Sequence, residues 1–237
     1  MMRTFVCGDI HGNHRGLLQC LERSKFNKEE DTLISLGDIA DGWSETSECV
    51  DELLSIKNLI SIVGNHDDWC RNWFNFGEQL PIWTQQGGQA TVESYIRTGK
   101  VMDKSHKDFW NNQINYHIDN ENRLFVHAGL NRHFSINDKI HNSNQVLNWD
   151  RDFWLAALSF KGLDGYKFKI YDDFKEVFIG HTATVNWNKT EPMQAANIWN
   201  LDTGAGFKGK LTIMNVETKE YFQSDLVNEL YPYEKGR

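Results

Sequence analysis

Three short apolar segments of this chain each end in a glycine that is followed at once by an aspartate or an asparagine. Residues 5–7 lead into Gly8-Asp9, residues 33–36 into Gly37-Asp38, and residues 58–63 into Gly64-Asn65. Each segment has the length and composition of a buried β-strand, and helical spacing of apolar residues follows at 14–25 and 45–56. This alternation predicts right-handed crossovers and a parallel sheet whose strand ends share one edge. Ligands of open α/β sheets bind at that edge.

The rest of the chain predicts a helical insert at about 67–113, which we expect to form a wall of the site, and then a β-rich half. The predicted whole is one domain over residues 1–237, of mixed α/β class, with two packed mixed sheets and helices outside. Further predicted elements are helices at 67–76, 89–98, 104–113 and 144–158, strands at 114–119, 123–127, 176–179, 197–201, 210–216 and 220–224, and a loop at 160–174. Ser44 is a candidate N-cap for the helix at 45–56.

Composition restricts the class of protein. The net charge is −8 with the charges interspersed, which argues against electrostatic binding of nucleic acid. The four cysteines form no CxxC pair and are expected to be reduced thiols. No apolar run reaches membrane-spanning length and no leader pattern precedes the first strand, so we expect a cytoplasmic protein without membrane contact.

Five predicted strands end in residues that commonly bind metals. Asp9 and His11 are two residues apart, so their side chains point the same way in an extended segment. A single aspartate after a glycine is usually a turn residue, but the repetition favours a site assembled from several strand ends. Mixed oxygen and nitrogen donors suit a divalent transition metal. The candidate ligands are Asp9, His11, Asp38, Asn65, His127 and His181.

These motifs resemble the signatures of a known family. Gly8-Asp9-Ile10-His11-Gly12, Gly37-Asp38-Ile39-Ala40-Asp41-Gly42 and Gly64-Asn65-His66-Asp67 are similar to the three signatures of the calcineurin-like metallophosphoesterases. His127-Ala128-Gly129 and Gly180-His181-Thr182 match the two later ones, in the expected order. The short length of the chain and the forms of the two later motifs resemble those of the phosphoprotein-phosphatase branch, especially its compact bacterial and phage members. Bacterial diadenosine tetraphosphatases share that branch. The resemblance implies a four-layer α/β/β/α sandwich.

The resemblance also implies a centre of two divalent metal ions. Asp9, His11 and Asp38 would hold the first ion. Asp38 would bridge to the second, which Asn65, His127 and His181 would complete. Mn is the expected metal in vitro, and Fe or Zn also suits such donors.

Two further residues would act in catalysis if the resemblance holds. A hydroxide bridging the two ions would attack phosphorus in line. His66 would protonate the leaving alkoxide as general acid, and Asp41 would pair with His66 and orient it.

One departure from the family concerns phosphate binding. The second signature usually continues Asp-Arg-Gly, and its arginine grips the phosphate, whereas Asp41 is followed by Gly42-Trp43. Trp43 is expected near the place of the missing guanidinium. We expect a replacement from Arg151, in a Trp-x-Arg segment like that of the compact bacterial members, or from Arg71.

Two other late or aromatic features have more ordinary interpretations. Asp202-Thr203-Gly204 is read as a structural strand end near the site. Trp69, Trp73 and Trp83 are expected to pack the helical insert rather than line a substrate groove.

Four functions remain in order of preference. The first is a metal-dependent phosphomonoesterase acting on phosphoserine, phosphothreonine or phosphotyrosine in proteins, or on a small phosphoester. The second is hydrolysis of diadenosine tetraphosphate or another nucleotide phosphoanhydride, since an aromatic insert could stack an adenine. Action on nucleic-acid ends is disfavoured by the acidic balance. An inactive binding protein is disfavoured because the ligand set is intact. The sequence does not specify the oligomeric state.

Overall fold

Two five-stranded mixed sheets form the centre of the protein. The structure, a computed structural model, describes residues 2–160 and 173–237. The strands are β1 Thr4–Cys7, β2 Thr32–Ser35, β3 Asn58–Ser61, β4 Tyr116–Ile118, β5 Arg123–Val126, β6 Glu176–Ile179, β7 Met193–Ala195, β8 Ile198–Asn200, β9 Thr212–Asn215 and β10 Tyr221–Gln223. The first sheet has the order β10-β9-β1-β2-β3 and the second the order β4-β5-β6-β8-β7.

Helices cover the outer faces of the sheets. They are α1 His14–Arg23, α2 Thr46–Leu54, α3 Asn65–Phe76, α4 Pro81–Trp83, α5 Gln89–Thr98, α6 Lys104–Asn112, α7 Asn144–Trp149, α8 Asp152–Ser159 and α9 Val227–Leu230. A π-helical turn, Thr84–Gly88, and a 3-10 turn, Thr184–Trp187, complete the regular structure of the described residues. Within residues 2–160 and 173–237, no helix has the length and apolarity needed to cross a membrane.

Alternating strand residues divide the interior into three layers of apolar packing. In β1, Phe5 packs in the apolar layer between the first sheet and its helices, whereas Val6 packs in the layer between the two sheets. In β5, Phe125 meets Val6 in the central layer, whereas Leu124 packs toward α8. The rings of Phe125 and Phe178 stack in that central layer with centroids 4.9 Å apart. This is the predicted four-layer order, with two sheets face to face and helices on both outer sides.

The sequence-based prediction is confirmed for most elements and wrong at a few. The strands β1, β2 and β3 pair in parallel, as predicted. The predicted helix at 144–158 is two helices, because Asp150 is extended and its carboxylate accepts the Phe153 N–H that starts α8. Ser44 does not cap α2, since its hydroxyl donates to Glu234 instead. The predicted loop at 160–174 lies almost entirely outside the described residues.

Parallel pairing brings the ends of six strands together. The parallel strands β1, β2 and β3 of one sheet end beside β5, β6 and β8 of the other. Close approach at this edge requires a glycine after β3, since a Cβ on Gly64 would lie 2.1 Å from Asp38 Oδ1. Several buried polar residues lie at this edge, among them Asp9, Asp38 and Asn65.

Candidate active site

The first cluster of polar side chains follows β1 and β2. Asp9, His11 and Asp38 are buried, and one potential ligand atom from each lies within 4.8 Å of the others. Burial and the neighbouring carboxylates of Asp202 and Asp38 raise the pKa of Asp9 well above its usual value. A bound cation would relieve the mutual repulsion of these carboxylates.

The second cluster shares Asp38 with the first. Asp38, His127 and His181 bring ligand atoms within 4.8 Å of one another, and all three are buried. Asn65 Oδ1 lies 3.1 Å from His127 Nε2, which adds an amide oxygen to the cluster. The His66 backbone N–H donates to Asp38 Oδ1 over 3.0 Å and helps to fix the shared carboxylate.

Backbone carbonyls orient two of the imidazoles. His11 Nδ1 lies 3.1 Å from Ala40 O, and His127 Nδ1 lies 2.8 Å from Leu36 O. Because a carbonyl oxygen can only accept, each Nδ1 carries the proton and each Nε2 presents its lone pair to the site. Metal-binding histidines are commonly held in this way.

The donor set fits metal cations. The lone pair of His127 Nε2 faces two more acceptors, Asn65 Oδ1 at 3.1 Å and Asp38 Oδ1 at 3.5 Å. Asp38 Oδ2 and His181 Nε2 are buried without a hydrogen-bond partner among the described residues. Converging acceptors that lack a proton between them call for a positive charge, and their mixed oxygen and nitrogen character suits a divalent transition metal.

The protonation states of the cluster also suit metal binding. Burial would raise the pKa of Asp38, but attraction to the neighbouring His127, His66 and His11, and to the guanidinium of Arg237, holds it below its usual value. Burial lowers the pKa of His181 to about 2, and the nearness of His127 adds to the effect. Neutral imidazole and ionised carboxylate are the forms that bind metals.

Four residues at or beside the two clusters also have an uncommon backbone conformation. His11, Asp38, Asp41 and His181 have φ values of 52°, 48°, 72° and 65°. Non-glycine residues seldom adopt this left-handed region, at a cost of about 1–3 kcal/mol each. Such strain persists where the surrounding structure fixes it, and it is frequent at functional sites.

A buried histidine–aspartate pair lies beside the two clusters. His66 Nδ1 is 2.6 Å from Asp41 Oδ2, and both side chains are nearly inaccessible to solvent. Trp83 Nε1 donates to Asp41 Oδ2 over 2.8 Å, and Thr91 Oγ1 donates to Oδ1 over 2.9 Å. Three partners thus hold the carboxylate that orients His66.

Trp83 therefore has a place in the site that the sequence did not predict. It is buried and packs near Trp73, as core packing requires, but its indole N–H reaches Asp41. Trp69 is half-buried and lies edge-on to His66, with ring centroids 5.1 Å apart. Trp69 and Trp83, from the region predicted as a helical insert, thus lie beside the two clusters.

Replacing Trp83 by phenylalanine should lower kcat by about tenfold, because one charge-assisted hydrogen bond to Asp41 is lost and His66 is held less firmly. The measurement is steady-state kinetics on an aryl phosphate with a poor leaving group. Trp73→Phe, the same change in the same aromatic cluster, is the control. Equal effects of the two substitutions would contradict the positioning role of Trp83.

Two neighbouring carboxylates, Asp67 and Asp202, accept hydrogen bonds from backbone N–H groups and so stabilise the loops around the clusters. Asp67 accepts hydrogen bonds from the backbone N–H groups of Ile39, Ala40 and Gly64, so it ties β2 to the start of α3. Asp202 is buried near Asp9, and its Oδ1 accepts the Gly204 N–H over 3.0 Å. This contact is consistent with the structural strand end predicted from the sequence.

The two arginines predicted to bind phosphate lie in different surroundings. Arg71 forms an ion pair with Asp68 on its own helix. Arg151 is exposed at the start of α8, close enough for its charge to contribute to lowering the pKa of His181 after burial and His127. Arg237, which the sequence did not indicate, reaches into the site between the imidazoles.

Trp43 belongs to the apolar core. Its indole is buried, donates to Ala205 O over 2.6 Å, and stacks on Tyr231 with centroids 5.0 Å apart. The ring is therefore part of the core, and the expectation that Trp43 lies near the place of the missing guanidinium stays a prediction.

The fold and the side chains together place two clusters of candidate metal ligands at the shared edge of two packed sheets. The chain belongs to the calcineurin-like phosphoesterase family, whose sequence model matches residues 2–189. The family is dinuclear and metal-dependent, and its members include named phosphatases, so this protein is a phosphoric ester hydrolase.

Relatives carry two different names. Serine/threonine-protein phosphatase 1 of Salmonella typhimurium is 25% identical over 218 residues, covering 90% of this chain and 92% of the relative. The symmetrical bis(5'-nucleosyl)-tetraphosphatase of a Marinomonas species is 26% identical over 278 residues, covering 94% and 97%. A cold-active protein-tyrosine phosphatase of a psychrophilic Shewanella species has a similar fold, with a TM-score of 0.60 at 13% identity over 95% of this chain and 81% of that chain.

Proposed function

We propose that this protein is a phosphomonoesterase of the protein serine/threonine phosphatase type, with phosphotyrosine as a further substrate. The observation that carries the proposal is the buried contact of 2.6 Å between His66 and Asp41. A seryl or threonyl alkoxide is a poor leaving group and needs a proton as the ester bond breaks. The phosphate leaving group of an anhydride is already a stable anion and gains less from such an acid.

The metal-binding roles follow from the two clusters. Asp9, His11 and Asp38 would hold one divalent cation, and Asp38 would share its carboxylate with a second. Asn65, His127 and His181 would complete the second set. When bound, two such cations supply Lewis acidity to the phosphate oxygens and a water acidic enough to act as nucleophile.

The protein's own residues orient the general acid and supply its proton. His66 donates Nδ1–H to Asp41, which leaves Nε2 as the atom that faces the clusters. Nε2 accepts from Arg237 Nη1 over 2.6 Å in this structure, so it can carry a proton only after the guanidinium has moved away from it. That proton can then pass to the leaving oxygen, and Asp41 stabilises the imidazolium before transfer. Arg151 stays a candidate for binding the phosphate at the rim, whereas the ion pair with Asp68 occupies Arg71.

Hydrolysis of a nucleotide phosphoanhydride is the second candidate. The half-buried rings of Trp69 and Trp149 pack edge to face, 5.2 Å apart, beside His66, and such indoles can stack a base. Against it, the alignment with the tetraphosphatase spans 278 residues, more than the 237 of this chain, so that relative carries segments absent here.

Mn-loaded protein should hydrolyse a phosphothreonine peptide with a kcat/KM at least about tenfold above that for diadenosine tetraphosphate, because only the first leaving group needs His66. Parallel assays of phosphate release and of nucleotide products measure the ratio. Asp38→Asn protein, prepared identically, controls for contaminating phosphatases. A ratio in favour of the dinucleotide would replace the first function by the second.

A further inference from the structure

We propose that Arg237 supplies the guanidinium that binds the substrate phosphate, in place of the arginine missing after Asp41. The inference rests on the proposed phosphate-hydrolysing site, but not on which phosphoester is the substrate. Arg237 lies nearly two hundred positions beyond that signature in the chain, so only the fold brings the two together.

The segment of residues 231–237 is anchored along its length. The carboxylate of Glu234 accepts from both the backbone N–H and the hydroxyl of Ser44, over 3.1 and 2.8 Å. The Arg237 backbone N–H donates to Gly206 O over 2.9 Å. These contacts fix the start of the Arg237 side chain beside the loop that carries Asp41.

The guanidinium points into the site rather than into solvent. Its Nη1 lies 2.6 Å from His66 Nε2, 3.2 Å from His11 Nε2 and 3.8 Å from Asp38 Oδ2. Its carbon lies 4.8 Å from the ring centroid of Phe207, a cation–π contact that supports the side chain from one side. A permanent positive charge therefore lies between the proposed general acid and the metal-ligand clusters.

Position 42, where the family signature carries its arginine, disfavours a side chain in this backbone. Gly42 has φ of +102°, and a Cβ there would lie 3.2 Å from His11 O and 3.6 Å from Arg237 Cβ. The space that a side chain at position 42 would enter is thus already bordered by Arg237. The signature lacks its arginine at position 42, and the side chain of Arg237 lies beside that position in the fold.

Arg237 can still bind an anion despite its present contacts. Two of its neighbours are imidazole nitrogens, which are weaker partners for a guanidinium than charged phosphate oxygens. The planar fork of donors matches two phosphate oxygens at once and stays charged at any working pH. Arg71, in contrast, already has a carboxylate partner in Asp68.

The test compares Arg237→Ala and Arg237→Lys with Lys235→Ala, which removes one positive charge from an exposed residue of the same segment. We expect Arg237→Ala to raise both the KM for an aryl phosphate and the dissociation constant of inorganic phosphate by about 10- to 100-fold. Calorimetry on Mn-loaded protein measures the second quantity without turnover. Arg237→Lys should recover part of the loss, and Lys235→Ala should behave as wild type.

Two results would overturn the inference. One is unchanged phosphate affinity in Arg237→Ala. The other is tighter Mn binding by Arg237→Ala with unchanged KM, which would make Arg237 a competitor of the metals rather than a ligand of phosphate. Both are distinct from failure of the proposed function, in which Mn-loaded wild-type protein itself would neither bind phosphate nor hydrolyse the ester.

Discussion

Asp38→Asn should abolish binding of both metal ions and lower kcat/KM by about a thousandfold or more. Asp38 belongs to both clusters, and its Oδ2 is buried without a hydrogen-bond partner among the described residues. Asparagine keeps the size and an oxygen that can accept the His66 N–H, but it removes the negative charge shared by two cations. Lewis-acid catalysis contributes several kcal/mol to such reactions, which corresponds to this fall in rate. Metal analysis of the purified protein and aryl phosphatase kinetics measure the two effects.

Asp31→Asn is the matched control for that substitution. Asp31 is equally buried but pairs with Arg3, away from the two clusters. It should lose some stability and retain both metals. An Asp38→Asn protein that still held two ions per chain would show that the shared carboxylate is not a bridge.

His66→Ala should leave the metals bound and slow turnover most for esters whose leaving group is a strong base. The contact from this residue to Asp38 is made by the backbone N–H, so the alanine variant keeps it. Loss of a general acid costs about 10²- to 10⁴-fold. We expect that loss with phenyl phosphate and a far smaller one with 2,4-dinitrophenyl phosphate, whose leaving group needs no proton.

The control for His66→Ala is His106→Ala, another buried histidine, which contacts Tyr95 and Asp51 rather than the clusters. Its kinetics should match those of wild type on both esters. Equal losses on the two esters by His66→Ala, or loss of its metals, would contradict the role of general acid.

Local sequence was enough to predict which side chains converge at this edge, whereas their role as metal ligands stays a prediction. Asp9, Asp38 and Asn65 each follow a glycine at the end of an apolar strand, and parallel pairing then brings such ends to one edge. The turn chemistry and the strand pattern are both encoded within a few residues. The prediction of two mixed sheets with outer helices is confirmed for the same reason.

The residues that support the site could not be predicted in this way. Trp83 and Thr91 reach Asp41 from the helical insert, and Arg237 reaches His66 across 171 positions of the chain. Their roles depend on how distant segments pack, which neither motif nor periodicity records. The short strand β7 and the helix α9 were missed because each is too short for a periodic pattern.

Other expectations remain predictions. They include the organisation of residues 1–237 as one domain, a cytoplasmic location and the choice of Mn over Fe or Zn. The last depends on donor geometry around a bound ion, because mixed carboxylate and imidazole donors accept several metals.

A metal titration tests the central claim most directly. Protein stripped by a chelator is titrated with Mn²⁺ while bound metal and the rate on an aryl phosphate are followed together. The account predicts two ions per chain, with activity returning as the second site fills. Saturation at one ion, or full activity in metal-free protein, would contradict it.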